Sequence, residues 1–522
     1  MTPDGRPVLV VGGGPVGLAA ATELLRRGVP VQCVDKADGP STLTKALAVW
    51  PRALELFRRV GGADEIRLHA KPFHSMNYYS EGRRVAQVGF TGRTRPVVLP
   101  QPEIESLLTG ALSRAGGAVQ WRTELTALDA TEDGVKARLR LPNGAEVTEE
   151  FSFVIGCDGA SSTVRKLMGI EFEGATYPAT FVVADVGLTG APRHDASHFY
   201  CSARGILVIS GLPSGRYRVF TSAPPDLDGD SVSLELVQRL VDERGPGGVI
   251  LHSPTWLSAF SVHARHAQHL RSGRVLLAGD SAHAHSPAGG QGLNTGVLDS
   301  QNLAWKIALI WHGYGNSELL DTYATERAEV ARAVVRQADR QTRAWLLRKR
   351  AHVLARDVLL RAASTLRLPE LIFVPALAGL RVRYRSAHGI GRRQFAGFRT
   401  GALVPDRLIK DESTGRAMTL RDALTDLRFT LLLSHDASGP EATRLVARLR
   451  ARVPDLVELR TLGTDAVLRS GSPRPRHQPG RRSFVVLVRP DQHIAAVCDA
   501  SHAEHIIDVL ATLLRPAIGH EL

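Results

Sequence analysis

Apolar positions along this chain fall into three patterns, and each predicts a different kind of element. Short, nearly unbroken apolar runs at Val8–Val11, Phe153-Val154-Ile155 and Val275-Leu276-Leu277-Ala278 have the length of fully buried strands. A further strand is expected from Val29 to Val34. Two of these runs lead into helical spacing: Leu18, Ala21, Leu24 and Leu25 after the first, and Leu293, Val297, Leu298, Leu303 and Ile307 after the last. Period-two alternation marks a second group. Residues 76–99 (with YYSEGRRVAQVGF) read as a hairpin or sheet edge, and 119–160 as strands with Pro142-Asn143-Gly144 as a hairpin turn. From 176 to 270, FVVADVGL, HFYCSARGILVISGL and YRVFTSAP predict an antiparallel sheet with one solvated side, a layer distinct from the first. The third pattern is helical: after Pro51 (Ala53, Leu54, Leu56, Phe57), from Pro100 to Leu112, and over 317–368. The basic amphipathic part of the last, 343–367, is expected to pack on the domain or a second subunit in preference to a membrane surface. Glycines, arginines and Pro405 punctuate 386–405 as a boundary. Beyond it FTLLLSHD (429–436), a helix near 441–452, RSFVVLVRPDQHIAAVCD (482–499) and a last helix (503–515) predict a small α/β unit, with 472–482 a loop.

Composition narrows the picture little. A chain of 522 residues suits two or three domains, and 43% hydrophobic with 22% charged residues is ordinary for a globular protein. The net charge of +13 is mostly arginine spread along the chain, without a basic tail, which argues against nucleic acid as partner. Four cysteines (Cys33, Cys157, Cys201, Cys498) show no C-x-x-C or metal spacing, in keeping with a reducing cytoplasm. No apolar run reaches the ~18 residues of a membrane span, and the N-terminus does not read as a signal peptide.

Candidate chemistry sits at the ends of the buried strands. GGGPVG at 12–17 places Gly12, Gly14 and Gly17 in the G-x-G-x-x-G pattern between strand and helix, and the next strand ends in Asp35. That arrangement allows a tight turn, close approach to a pyrophosphate and a carboxylate for ribose hydroxyls: a dinucleotide site. Asp158-Gly159 closes a second buried strand, with Ser161 or Ser162 as N-cap of a helix carrying Arg165. Gly279-Asp280 closes a third. There Pro287, Gly289, Gly290 and Gly292 form a loop that backbone could bring close to a ligand, ahead of a helix N-terminus at Leu293. Taken alone, 273–306 is either a plain strand–loop–helix crossover or a site for a nucleotide-like or flavin cofactor. Lys45 and Arg52 are either phosphate or flavin contacts or solvated charges. Gln101 is either part of a helix cap or a cofactor contact.

The order and spacing of GGGPVG, Asp158-Gly159 and Gly279-Asp280 resemble the class A FAD-dependent monooxygenases, the p-hydroxybenzoate hydroxylase-like family, over nearly the whole chain. The tail is similar to that of the phenol hydroxylase and aromatic polyketide hydroxylase branch. This resemblance implies an α/β fold: a Rossmann-like FAD-binding domain (1–175 and 271–395), an antiparallel-sheet substrate domain (176–270, joined by 76–100) and a thioredoxin-like C-terminal domain (400–522) without a redox role. It implies that Gly12, Gly14, Pro15 and Gly17 take the FAD pyrophosphate and Asp35 the adenosine ribose. Gln101 would contact the flavin side, Asp158 would serve FAD and NAD(P)H, and Asp280 would hold the ribityl chain. Pro287 and the backbone of Gly290, Gly292, Leu293 and Asn294 would face the isoalloxazine. Lys45 stands where many relatives carry an FAD-contacting arginine, and Asp35 where glutamate is commoner.

The activity so implied is an NAD(P)H-consuming hydroxylation of an aromatic phenol through a C4a-hydroperoxyflavin. Baeyer–Villiger oxidation, epoxidation and non-catalytic flavin binding are the alternatives. A flavin halogenase is disfavoured, because Trp305 and Trp311 belong to a helix and no tryptophan-rich motif is present. For the base or donor network that a phenol needs, His198, Tyr200, Tyr217 and His263 are candidates, none preferred. The expected partners are O2 and a small aromatic substrate, a polycyclic natural-product phenol ahead of a small catabolic one, bound by a cytoplasmic monomer or homodimer.

Overall fold

The computed structural model describes residues 5–42, 47–224, 227, 232–384, 394–395, 397–410, 417–434, 440–462, 467–468 and 483–514. The buried apolar runs assemble into a six-stranded sheet in the order 271–272, 275–277, 153–156, 8–11, 31–34, 119–120. Its pairs are parallel except at the 271–272 edge. Val8–Val11 and Phe153–Gly156 lie at its centre, every residue buried, which is why they carry no polar alternation. Helices Pro15–Leu25 and Gly292–Trp311 pack against one another above it, with the Ser300 hydroxyl donating to the Val16 carbonyl at 2.9 Å.

The alternating segments form a second sheet of eight strands, in the order 283–284, 250–267, 172–189, 217–222, 205–211, 196–202, 75–80, 83–89. Its pairs are antiparallel, apart from 196–202 beside 75–80. The 75–89 hairpin is the sheet edge expected of 76–99, but Val97–Val98 at the end of that stretch pairs instead with Ala48–Val49 and Lys71–Pro72 in a separate small sheet. The expected solvated side is not found. Helix Leu234–Arg244 lays Val237 and Val241 onto that face, where they join Val182, Ala184, Leu207, Ile209 and Val219 in one core cluster. The strands are apolar on both faces, so both are covered.

Beyond residue 400 lies a four-stranded sheet in the order 457–462, 429–434, 484–488, 494–499, with helices Pro440–Arg452 and His505–Leu513. Its first pair is parallel and the others antiparallel. The loop of its last hairpin is driven into the first domain. There Arg489 reaches Glu326 at 2.5 and 2.9 Å, and Asp491 accepts from Asn302 at 3.0 Å. None of the four cysteines is in a disulfide. Among the described residues no helix is long and apolar enough to cross a membrane, and no cluster has metal-ligand composition. The expected loop at 472–482 lies outside the described residues.

Candidate active site

The three strand ends converge on one cavity of about 990 Å³, which runs from the glycine loop to the inner face of the eight-stranded sheet. At the loop, space separates the roles of the glycines. Gly12 has φ +116°, and a Cβ there would stand 2.4 Å from the Cys157 carbonyl oxygen; one on Gly17 would stand 1.8 Å from the Gly12 carbonyl oxygen. Both glycines let the helix press onto its strands. Gly14 differs: a Cβ there meets nothing within 4 Å, so its openness faces the cavity. Asp35 ends its strand with its carboxylate fixed by the amides of Gly13 (2.6 Å) and Ala37 (2.8 Å).

Asp158 is occupied differently from Asp280. Its carboxylate accepts from the Ser162 hydroxyl (2.5 Å) and from the amides of Thr163 (2.6 Å) and Val164 (3.1 Å), while Ser162 caps the same helix. Arg165 then joins the second motif to the third, donating to the Ser281 carbonyl at 3.0 Å. Asp280, by contrast, is exposed to the cavity, and its carboxylate has no hydrogen-bond partner among the described residues. Behind it stands a buried support. Asp299 accepts from the Gly279 amide (3.0 Å), His283 Nε2 (2.7 Å) and Arg327 Nε (2.6 Å). Burial opposes the charge on Asp299, but Arg327 and His283 outweigh it and hold the carboxyl below the usual range. His285 points its Nδ1 at the Ser286 carbonyl (2.8 Å), and burial pushes its pKa down, so it is a neutral ring on the cavity wall.

Helix Gly292–Trp311 begins without a side-chain cap, so its first amides and the positive end of its dipole remain for a ligand. Pro287, Gly290, Gly292 and Leu293 line the cavity, as do Gly12, Gly14, Pro15, Asp35, Gln101, Asp158 and Asp280. Gln101 is the first residue of its helix and donates to Glu105 at 2.8 Å. Gly17 and Asn294 do not line it. Asn294 spends its amide on the backbone of Ala48, Gly290 and Trp50, which clamps loop to helix. Lys45 lies outside the described residues. Arg52 is neither a phosphate contact nor solvated: it is buried, bonded to Glu55, Gln301 and Gln492.

The sheet half has a different composition. Strand register aligns one row of side chains, Met76, Ser197, Ser210, Arg218, Asp185 and Trp256, across six strands. The adjacent row is Tyr78, Phe199, Val208, Phe220, Val183 and Ser258. His198, Tyr200 and Tyr217, expected as base or donor candidates, lie on the opposite face and do not line the cavity. His198 Nε2 stands 3.0 Å from the Arg193 carbonyl, and the Tyr217 hydroxyl donates to that of Pro192. Only His263 of that set reaches the cavity, with Nδ1 2.9 Å from the Thr176 hydroxyl. Residues not anticipated are Asp299, His283 and Arg327 behind the third motif and the Arg218–Asp185 pair in the sheet. For the Arg218–Asp185 pair, a charge inside an apolar run, as in YRVFTS and FVVADVGL, is the one sequence signal.

The profile of the FAD binding domain family matches residues 6–338, well over half of the chain. The chain belongs to the class A FAD-dependent aromatic monooxygenases. It is 34% identical to the 6-methylpretetramide 4-monooxygenase of Streptomyces rimosus, across 88% of this chain and 84% of that protein. The pentachlorophenol 4-monooxygenase of Sphingobium chlorophenolicum is 28% identical, across 97% and 96%. Among solved structures, the flavin-dependent monooxygenase PieE in complex with FAD and substrate superposes with a TM-score of 0.80 at 27% identity, covering 99% of each chain. The site of this monooxygenase fits FAD on its own geometry. Open space at Gly14 and two helix N-termini suit the pyrophosphate and ring, and the Asp280 carboxylate, without a hydrogen-bond partner among the described residues, suits a hydroxylated chain.

Proposed function

We propose that this flavin-dependent aromatic monooxygenase takes electrons from NADH or NADPH and hydroxylates a phenolic, polycyclic aromatic of the polyketide kind. The observation that carries this reading is one cavity in which a glycine-and-acid half is continuous with a half walled by Phe199, Phe220, Phe260 and Trp345. The names of the relatives, a pretetramide oxygenase first among them, support the substrate class. Bound FAD would supply the redox chemistry, accepting electrons and activating O2. The amides after Gly14 and the helix beginning at Pro15 would hold the pyrophosphate, Asp35 a ribose hydroxyl and Asp280 a hydroxyl of the ribityl chain. The N-terminus at Gly292 and Leu293 would favour negative charge over the ring. Phe199, Phe220, Phe260 and Trp345 would exclude water around the substrate, and His263, which lines the cavity as His285 does, would take a phenolic proton.

The 429–499 sheet also supports a thioredoxin-like reading of the tail, with a parallel first pair followed by two antiparallel strands and closed by a helix. The test of the main reading is stopped-flow reduction of the FAD-loaded enzyme by NADPH and NADH, with and without a panel of polycyclic phenols. Strong acceleration by a subset of them is expected. Equal rates with every phenol and with none would sink the reading in favour of a reductase.

A further inference from the structure

We infer that Arg218 is the substrate anchor of the sheet half, donating through Nη1 to an acceptor oxygen, a quinone-type carbonyl, on a polycyclic aromatic substrate. The inference rests on the reading of the sheet half as the substrate chamber and narrows its ligand.

Arg218 stands in a strand whose register sets it directly opposite Asp185. Its Nε and Nη2 each donate to one carboxylate oxygen of Asp185, both at 2.8 Å, so the guanidinium plane is locked. That pairing uses one edge of the fork and leaves Nη1 on the other. Nη1 has no partner among the described residues and is not sealed from the cavity, which Arg218 itself lines. The residue as a whole is only 8% exposed, so the donor faces a largely desolvated space.

The surroundings define what it would meet. The Trp256 ring lies with its centroid 5.1 Å from the guanidinium carbon, and the adjoining row offers Phe199 and Phe220. In the same row Ser197 and Ser210 are hydrogen-bonded to each other through their hydroxyls. A purely structural ion pair would gain nothing from a spare donor turned into a cavity. A positively charged donor without a partner, in an aromatic chamber, costs desolvation until a ligand oxygen satisfies it. Because Asp185 already neutralises the guanidinium, the site does not demand a full negative charge on the ligand; a carbonyl oxygen is enough.

The experiment uses the full-length, FAD-loaded enzyme and two tricyclic probes, 1-hydroxyanthraquinone and 1-hydroxyanthracene, which differ in the ring carbonyls. Dissociation constants are read from the change in flavin fluorescence. Arg218→Lys keeps a cation beside Asp185 but removes the fork. It should weaken the quinone about 10- to 100-fold and the anthracene phenol by no more than about 3-fold. The double variant Arg218→Met with Asp185→Leu removes both charges together, which avoids leaving a buried carboxylate alone, and should lose the same preference. Unchanged quinone affinity in both variants would overturn the assignment while leaving the chamber standing. So would equal weakening of both probes in step with a lower melting temperature, the signature of a merely structural pair. If the unaltered enzyme binds FAD but neither probe, both the polycyclic substrate class and the anchor fall.

Discussion

The glycine loop at 12–17 and the sheet row from Met76 to Trp256 face the same cavity but are built from opposite materials. In the loop, ligand groups would be met by main-chain amides, and side chains are kept out of the way: Gly12 and Gly17 for packing, Gly14 for access. In the sheet row the main chain is spent on strand pairing, so every polar contact must come from a side chain that register brings into line. A backbone-built site depends on spacing within a few residues. A side-chain-built site depends on the alignment of strands distant in sequence. The first tolerates little change in shape and the second little change in chemistry.

The largest effect should come from Gly17→Ala. Its new Cβ would stand 1.8 Å from a backbone carbonyl that cannot swing away, so helix and strand must separate, at a cost of about 3 kcal/mol. Gly14→Ala meets nothing within 4 Å and should leave the FAD-free melting temperature unchanged while weakening FAD binding. If both variants lose stability alike, the division between packing and access glycines is wrong.

Acid should strike next, at buried Glu326, which bonds Lys306 of helix Gly292–Trp311 and Arg489 of the tail hairpin. Burial opposes ionisation of Glu326, but Arg489 and Lys306 overcome this and hold its pKa down at about 2, from 4.5. The folded form therefore binds fewer protons than the unfolded one in that interval. The stabilisation is complete above pH 4.5 and is lost as pH falls through 2, on the order of 3 kcal/mol in all. Urea midpoints measured from pH 5 to 2.5 should fall steeply for the unaltered enzyme and less for Glu326→Gln. Parallel curves would place the acid sensitivity elsewhere.

The same contrast governs how much of the site is legible in the sequence. Gly12, Asp35 and Asp280 are legible because a turn or a strand end constrains them locally. Arg218 is not, although its neighbour Tyr217 is among the expected donors. In a strand one residue decides the face, and the sequence of a single strand does not say which face is the chamber. The solvated side expected for the sheet fails for a related reason: Val182, Ala184 and Val186 alternate with residues that are also largely apolar, so both faces need cover. Arg52 escapes a sequence reading because the hairpin that buries it, around Gln492, lies 440 positions away.

Asp280→Ala tests one of the two acidic side chains, with Asp35, proposed to take a cofactor hydroxyl in the backbone-built half. Loss of a charge-assisted contact, roughly 1.5–3 kcal/mol, should weaken FAD about 10- to 150-fold. The FAD-free protein should melt unchanged, because this carboxylate has no hydrogen-bond partner among the described residues to lose. Asp280→Asn, which keeps an acceptor, should lose less. A lowered melting temperature with intact FAD affinity would move Asp280 from the cofactor to the scaffold.

The smallest expected effect is the sharpest check on strand parity. Tyr217 lies one residue before Arg218 and therefore on the far face, where its hydroxyl donates to the Pro192 carbonyl at 3.2 Å and its ring packs in the cluster covered by helix Leu234–Arg244. Tyr217→Phe removes that hydrogen bond and little volume, so about 1 kcal/mol of stability should go. Neither kcat nor the affinity of any aromatic ligand should move, because no atom of the residue lines the cavity. Had the register been one residue out, Tyr217 would be the chamber's phenol and Arg218 a packed ion pair. The two substitutions would then exchange phenotypes, with Tyr217→Phe altering ligand preference and Arg218→Lys altering only the melting temperature.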